Sequence, residues 1–344
     1  MSTIVSNFVN YYNDLIYLVY EKHRQRKEDY QTKLQIRQQF YDIIVDSKLD
    51  VSFDLYMVGS TQTQFSLRSS DMDLCMLVYD NNGQIDHRYR HDKATTIALL
   101  KSIKDIISEK LLLKNEINLL MNAKVPILKI ETEQNRIAVD LNINGDISIR
   151  NTFSVDILSV KLDYRVAPLV VAIKSWARKN RIDSPFYGML SSYSLSLMAI
   201  HFLQNIQPPI LPLMRAELSD QIRFDRIVNT GHLLEHLNTF IMETKKKFHS
   251  HNNQWPLGEL FYRFIEYYHH RFSFNHYNHF SIRELFSNRL SSNNSSFIMV
   301  EDPFHYHNTA SSVTISSYIT IMEAFRRTYQ LLNAFTLSDQ FFDL

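Results

Sequence analysis

Glycine and proline are scarce in this chain, at 6 and 8 of 344 residues. With so few breakers and no low-complexity stretch, long disordered linkers are excluded. A single cysteine, Cys75, rules out an internal disulfide and any multi-cysteine zinc site, and suits a reducing compartment. An excess of either charge is also missing: 37 Lys and Arg against 36 Asp and Glu give a formal net charge of +1. A generic nucleic-acid binder is more basic than this, so any contact with a polyanion has to use local patches. Nor is there a long apolar run. The N-terminus lacks the charged-then-apolar order of a signal peptide. The most apolar later stretch, Met189 to Leu203, carries Ser191, Ser192, Ser194, Ser196 and His201, too polar for a membrane span. The expectation is a soluble, cytoplasmic protein with no membrane contact.

What the chain does have is enough apolar residues (45%) for a core throughout, and a length that suits two domains. Its 19 Tyr and 22 Phe are read first as core packing. Residues 3–29 have helical spacing (Val5, Phe8, Val9, Tyr12, Ile16, Val19), and a second helix is expected from about Lys33 to Ser47. Then the period changes. FDLYMVGS, DLCMLVY, VPILKIE and RIAVDLNI are short, strand-like runs, the last two separated by TEQN, a hairpin turn by composition. A helix at Lys93–Leu113 lies between the two pairs. From about Asn151 nearly everything reads helical, broken by Pro208, Pro209, Pro212 and the polar loop NRLSSNNSS. The pattern predicts an α+β chain: a small mixed-sheet domain and a larger helical one.

Three aspartates stand out. Asp71 and Asp73 open a strand at i and i+2 and so share a face. Asp140 lies inside RIAVDLNI, facing away from Val139 and Leu141, where an ionised carboxylate is costly unless paired or metal-bound. Gly59-Ser60 ends the preceding strand about ten residues before Asp71. Phosphoryl transfer between nucleotides requires carboxylates converging on two divalent ions, Mg²⁺ or Mn²⁺, from rigid strands. Singly, a DxD is often a solvated turn, an inward Asp often a salt bridge, and Gly-Ser often only a turn. In this joint order they favour a metal site. His249, His251, His269, His270, His276 and His279 have irregular spacing and are expected to be solvated or packed. The basic runs Lys22–Lys27 and Lys245–Lys247 read as exposed helix ends and secondary RNA tracks.

MVGSTQTQFSLRSSDMDLCMLV resembles the signature of the DNA polymerase β-type nucleotidyltransferases, in the branch of non-canonical poly(A) polymerases and terminal uridylyltransferases. The resemblance continues through IAVDLNINGDISIRNT, VVAIKSWARKNRIDSPFYGMLSSYSLSLMAIHFLQ, LGELFYRFIEYY and VEDPFHYHNTASSV, in the family's order. Its nearest likeness is to cytoplasmic poly(A) polymerases of the germline-development type. The resemblance implies a catalytic domain at 33–150 and a helical domain from 1–32 with 151–344, the active site lying in the cleft between them. It implies that Asp71, Asp73 and Asp140 hold two ions, the third also activating the RNA 3′-hydroxyl. Gly59 and Ser60 would position the triphosphate, Asn151 the ribose 2′-hydroxyl, and Lys174, Arg178 and Ser192 the phosphates. From spacing alone, Lys174 and Arg178 are better read as two snorkelling helix cations. Tyr193 would stack on the base.

Base choice falls to the recognition loop at 300–313, through Asp302 and His307. A histidine before the family's Asn, as His307 precedes Asn308, favours UTP, whereas the loop length matches the adenylyl type. The family's Arg after NTA is Ser311 here. On balance the resemblance implies ATP, with UTP as the alternative. A catalytically silent RNA–protein scaffold is disfavoured by the intact triad, and second-messenger synthesis by the RNT and EDPF motifs. With no room for an added RNA-binding domain, a separate RNA-binding protein is expected to bring the enzyme to the RNA 3′ end. The lack of flanking extensions is what a chain trimmed from a longer protein would show.

Overall fold

Apolar alternation in the first half of the chain becomes a sheet in the computed structural model. The structure describes residues 3–111, 117–123, 125–131, 137–145, 148–149, 151–152, 160–213, 230–248, 252–274, 278–281, 297–303, 307–338 and 341–342. The TEQN turn, the NRLSSNNSS loop and residues 304–306 of the recognition loop lie outside them. The chain divides into two compact units, Gln25–Asp156 with Phe224–Leu234, and Met1–Arg24 with Ile157–Arg223 and Glu235–Leu344.

In the first unit, strands β1 (Ser52–Val58), β2 (Met72–Tyr79), β3 (Ile117–Leu120), β4 (Ile127–Glu131) and β5 (Ala138–Ile143) form a five-stranded sheet. Its order is β1-β2-β5-β4-β3. The β2–β5 pair is parallel and the other three pairs are antiparallel, so the sheet is mixed as expected. One face carries Met72, Leu74, Met76, Val78, Leu128, Ile130, Val139, Leu141 and Ile143. Helices α2 (Lys27–Asp46) and α4 (Lys93–Leu111) cover it with Ile36, Phe40, Ile44, Leu100, Ile103 and Ile107. The residues between these positions, Asp73, Asp140 and Lys129 among them, point to the opposite face by the period of a strand. A single turn, α3 (Arg88–His91), precedes α4.

The second unit is largely helical. Helix α1 (Thr3–His23) packs on α5 (Val166–Lys179) and α8 (Leu257–Phe274), and α8 also packs on α9 (Ile315–Asn333). Helix α6 (Ser192–Asn205), the 3₁₀ turn Pro185–Tyr187, most of α7 (Thr230–Lys247) and a parallel pair, β6 (Asn278–Phe280) with β7 (Ile298–Val300), also belong to this unit. Helix α5 is buried from Val166 through Ala177, which accounts for its apolar circumference. Trp176 donates to Thr328 Oγ1 at 2.8 Å from inside it.

Two boundaries differ from the sequence reading. The first helix ends at His23, not near residue 29, because tertiary bonds intervene where no breaker exists: the Gln25 N–H donates to the Ser66 carbonyl at 2.9 Å. The next helix restarts where the Arg26 N–H donates to Asp29 Oδ2 at 2.8 Å. Consequently Gln25 to Thr32 go with the sheet unit, and Tyr30 and Leu34 pack against its core. The second difference is β3, whose four residues were not read as a strand.

Close approach of α1 and α8 depends on Gly258. A methyl group there would run into the backbone of Tyr12 and Asn13, where the Leu257 N–H also donates to Asn13 Oδ1 at 3.0 Å. Gly258→Ala is expected to destabilise the protein by about 1–3 kcal/mol. Denaturant unfolding of the two proteins side by side checks this.

Candidate active site

Pairing register assembles the acidic centre. Asp73 lies opposite Asp140 in the parallel β2–β5 pair, and Asp140 lies opposite Lys129 in the antiparallel β5–β4 pair. One row across three strands therefore reads Asp73, Asp140, Lys129. Asp71 sits just before β2. The Lys129 ammonium stands between two of the carboxylates, 3.5 Å from Asp71 Oδ2 and 3.6 Å from Asp140 Oδ1. Burial pulls the Lys129 pKa down, but the attraction of Asp140 and Asp71 outweighs it and holds the group above its usual value. Burial pushes the Asp140 carboxyl up, against the pull of Lys129.

Gly59 closes the site from the β1 side. It has a φ of +70°, and a Cβ there would lie 2.6 Å from Asp73 Oδ2. Only glycine tolerates both demands. The 3₁₀ turn Gly59–Thr61 follows, and the Ser60 hydroxyl takes no hydrogen-bond partner among the described residues. The Gly59 N–H donates to Thr152 Oγ1 at 2.7 Å, and Thr152 Oγ1 donates to the Ser148 carbonyl at 2.6 Å. Thr152 thereby ties the Gly-Ser turn to the segment carrying Asn151.

Donor chemistry here fits a hard divalent cation. The nearby ligands are carboxylates, Gly59 leaves a cradle that a side chain would fill, and buried Asp140 Oδ1 makes no hydrogen bond, its nearest cation being Lys129 at 3.6 Å. The three carboxylates are not drawn in around one point. Among the described residues no group of three His, Cys, Asp or Glu already forms a metal cluster, the histidines included. His269 instead stacks on Tyr329 at 4.7 Å.

The remaining candidates lie in the helical unit. Lys174 is 4% exposed, which excludes the snorkelling surface cation that spacing alone favoured. Arg178, one turn on, pairs with Asp183 at 3.2 Å. Ser191 caps α6 by accepting from the Ser194 N–H at 2.9 Å, so Ser192 and Tyr193 open the helix. The Tyr193 hydroxyl donates to Asp302 Oδ2 at 3.4 Å while its ring stays partly exposed. Burial, with the charge of Asp302, pushes that phenol well above its ordinary pKa. Asp302 is 0% exposed, and its N–H donates to the carbonyl of His307 at 2.9 Å.

Spacing did not reveal the groups that hold these residues. Asn308 ties the two described sides of the 300–313 segment together: its Oδ1 accepts from the Val300 and Ala310 N–H groups at 3.0 and 2.9 Å, and its Nδ2 donates to the Ile298 carbonyl at 2.9 Å. Ser194 Oγ donates to the Thr309 carbonyl at 2.9 Å, coupling α6 to the loop. Lys129 and Thr152 were missed for a similar reason: each looks ordinary until register or tertiary contact shows its partner.

Residues 13–157 match the family model described as poly(A) RNA polymerase, mitochondrial-like, central palm domain. The poly(A) RNA polymerase GLD2 of Xenopus tropicalis is 32% identical over 262 residues, covering 75% of this chain and 46% of that protein. GLD2 of Rattus norvegicus is 32% identical over 282 residues, covering 81% of this chain and 56% of that one. The chain thus spans about half the length of the curated relatives it matches. Among solved structures, a cytoplasmic RNA terminal U-transferase superposes with a TM-score of 0.76 at 23% identity, covering 97% of this chain and 98% of that one. The Cid1 poly(U) polymerase gives a TM-score of 0.73 at 23% identity, covering 94% and 93%. The fold is that of the polymerase β-type nucleotidyltransferases. Within that fold, the sequence relatives that match over three quarters or more of this chain are poly(A) RNA polymerases.

Thr152→Val keeps the side-chain shape and removes the acceptor for Gly59. A half-buried N–H left without its partner costs about 1 kcal/mol, toward the low end of the range for a buried one, whereas Thr152→Ser keeps the bond. In chemical denaturation, Thr152→Val should lose stability on that scale and Thr152→Ser distinctly less.

Proposed function

We propose that this chain is a template-independent RNA 3′-terminal nucleotidyltransferase that adds AMP from ATP to mRNA 3′ ends in the cytoplasm. The observation that carries the reading is the Asp73–Asp140 register pair beside Asp71 and the Gly59-Ser60 turn. Adenylyl transfer is favoured because the sequence relatives are poly(A) polymerases. Asp71, Asp73 and Asp140 would hold two Mg²⁺ or Mn²⁺ ions. Bound there, such ions neutralise the triphosphate and acidify the attacking hydroxyl.

The chain's own residues supply the rest. Burial makes the Asp140 carboxylate more basic, which suits it to accept the proton of the RNA 3′-hydroxyl. The Ser60 hydroxyl and its turn hold the triphosphate, with Lys174, Arg178 and Ser192 adding charge and hydrogen bonds to the phosphates. Asn151 takes the ribose 2′-hydroxyl. The Tyr193 ring stacks on the base, and Asp302 and His307 read its edge. A separate RNA-binding protein delivers the substrate, in keeping with the near-neutral charge of the chain. No helix among the described residues is long and apolar enough to cross a membrane.

UMP transfer from UTP is the second reading, favoured by His307 and by the uridylyl activity named for the solved neighbours. Incubation with labelled RNA, Mg²⁺ and each NTP in turn decides between them. The ladder should lengthen with ATP; efficient UTP use with poor ATP use overturns the adenylyl assignment, and no extension with any NTP sinks the enzyme. Asp71→Ala and Asp73→Ala should each lower tailing by on the order of a thousandfold or more. His307→Asn should change the ATP-to-UTP ratio while leaving Mn²⁺ binding intact.

A further inference from the structure

The buried stripe of α2 runs Lys33, Ile36, Phe40, Ile44. The three apolar members pack on the sheet, whereas the lysine is 1% exposed and continues the stripe past the edge of the core. Its ammonium donates to Thr61 Oγ1 at 3.2 Å and to the Ser70 carbonyl at 3.1 Å. Thr61 closes the turn that Gly59 and Ser60 begin, and Ser70 immediately precedes Asp71. One side chain thus joins the Gly-Ser turn to the start of the DxD strand. Gln25 Nε2 donates to the Thr61 carbonyl at 3.1 Å and the Tyr30 hydroxyl donates to Gln62 Oε1 at 3.2 Å, so the N-terminal end of α2 grips the same turn.

Packing does not account for a lysine here. Both of its hydrogen-bond partners are neutral oxygens, and a buried ammonium is costly without a counter-charge. Burial lowers its pKa to about 8, while Asp73, Asp29 and Asp71 pull in the other direction. The charge is therefore balanced mainly through space, two of the three balancing carboxylates being candidates for the ion site. A methionine would fill the same volume at less cost.

We propose that Lys33 is a positioning residue with two separable effects: its hydrogen bonds fix the Gly-Ser turn against Asp71 and Asp73, and its charge weakens divalent-ion binding by those carboxylates. The first effect sets where the triphosphate sits. The second keeps the ions exchangeable, because a fixed cation near the carboxylates opposes each incoming one. The inference rests on the nucleotidyltransferase reading.

Direct Mn²⁺ titration of the full chain at pH 7, without RNA or nucleotide, tests the charge; the KM for ATP in RNA tailing tests the bonds. Lys33→Met should bind Mn²⁺ about tenfold more tightly than wild type and show a higher KM for ATP. Lys33→Arg should keep wild-type Mn²⁺ affinity. Thr61→Val, which breaks one bond and leaves the charge, should raise the KM without altering Mn²⁺ affinity, and it tests the bonds even if Lys33→Met folds poorly. Opposite movement of the two constants is not produced by a loss of stability alone. Unchanged or weaker Mn²⁺ binding by folded Lys33→Met overturns the assignment, as does an unchanged KM in both Lys33→Met and Thr61→Val. Wild-type protein that binds no Mn²⁺ sinks the nucleotidyltransferase reading instead.

Discussion

Parallel pairing of β2 with β5 places two carboxylates, Asp73 and Asp140, directly opposite each other. At a spacing of about 5 Å and an effective dielectric near 20, two such charges repel by about 3 kcal/mol. The opposite face of the same strands decides the outcome. A slip of one residue would turn Val139, Leu141 and Ile143 out of the core, and each buried side chain of that kind is worth about 1.5–3 kcal/mol. The core therefore imposes the acidic pair, and cations and ligands at the site answer a repulsion that the sheet has already fixed.

Two lysines answer that repulsion from different elements. Lys129 comes from β4, in register with Asp140, and stands in front of the carboxylates with a third of its side chain exposed. Lys33 comes from α2 and is held by neutral oxygens. Exposure gives them different freedom. Lys129 is a third exposed and hydrogen-bonds one of the carboxylates, Asp71, at 3.5 Å. Lys33, enclosed and doubly bonded, cannot move without taking the Gly-Ser turn with it. The Gly59 contact with Asp73 and the Thr152 bond to Gly59 fix that turn from its other sides.

Much of this was legible in the sequence, for local reasons. DLCMLVY and RIAVDLNI have the strand period, so the faces of Asp71, Asp73 and Asp140 could be read from neighbouring residues. Register is not a local property. Nothing in VPILKIE says that its lysine will face Asp140, and the parallel pairing of β2 with β5 joins segments more than sixty residues apart. Lys33 escaped because a search for a buried stripe counts apolar residues, and this stripe ends on a charge. EKHRQRKED read as continuous helix because its break comes from Ser66, far along the chain, and not from a glycine or proline.

On the proposed reading, base choice is harder to read from the sequence than metal binding. The Tyr193 hydroxyl is bonded to Asp302, so a base on the proposed reading would meet the ring face, and stacking on a ring face tolerates any base. Asp302 is buried, and its N–H is bonded to the His307 carbonyl, so the backbone at 302 and 307 is fixed by a contact indifferent to the histidine ring. Asn308 then ties Ile298, Val300 and Ala310 together by side-chain bonds to the main chain. In such a loop a residue's reach is set by main-chain geometry rather than by its type. On the proposed reading, discrimination between ATP and UTP would depend on the backbone that Asn308 and Ser194 hold in place, with His307 acting from the point where that backbone puts it.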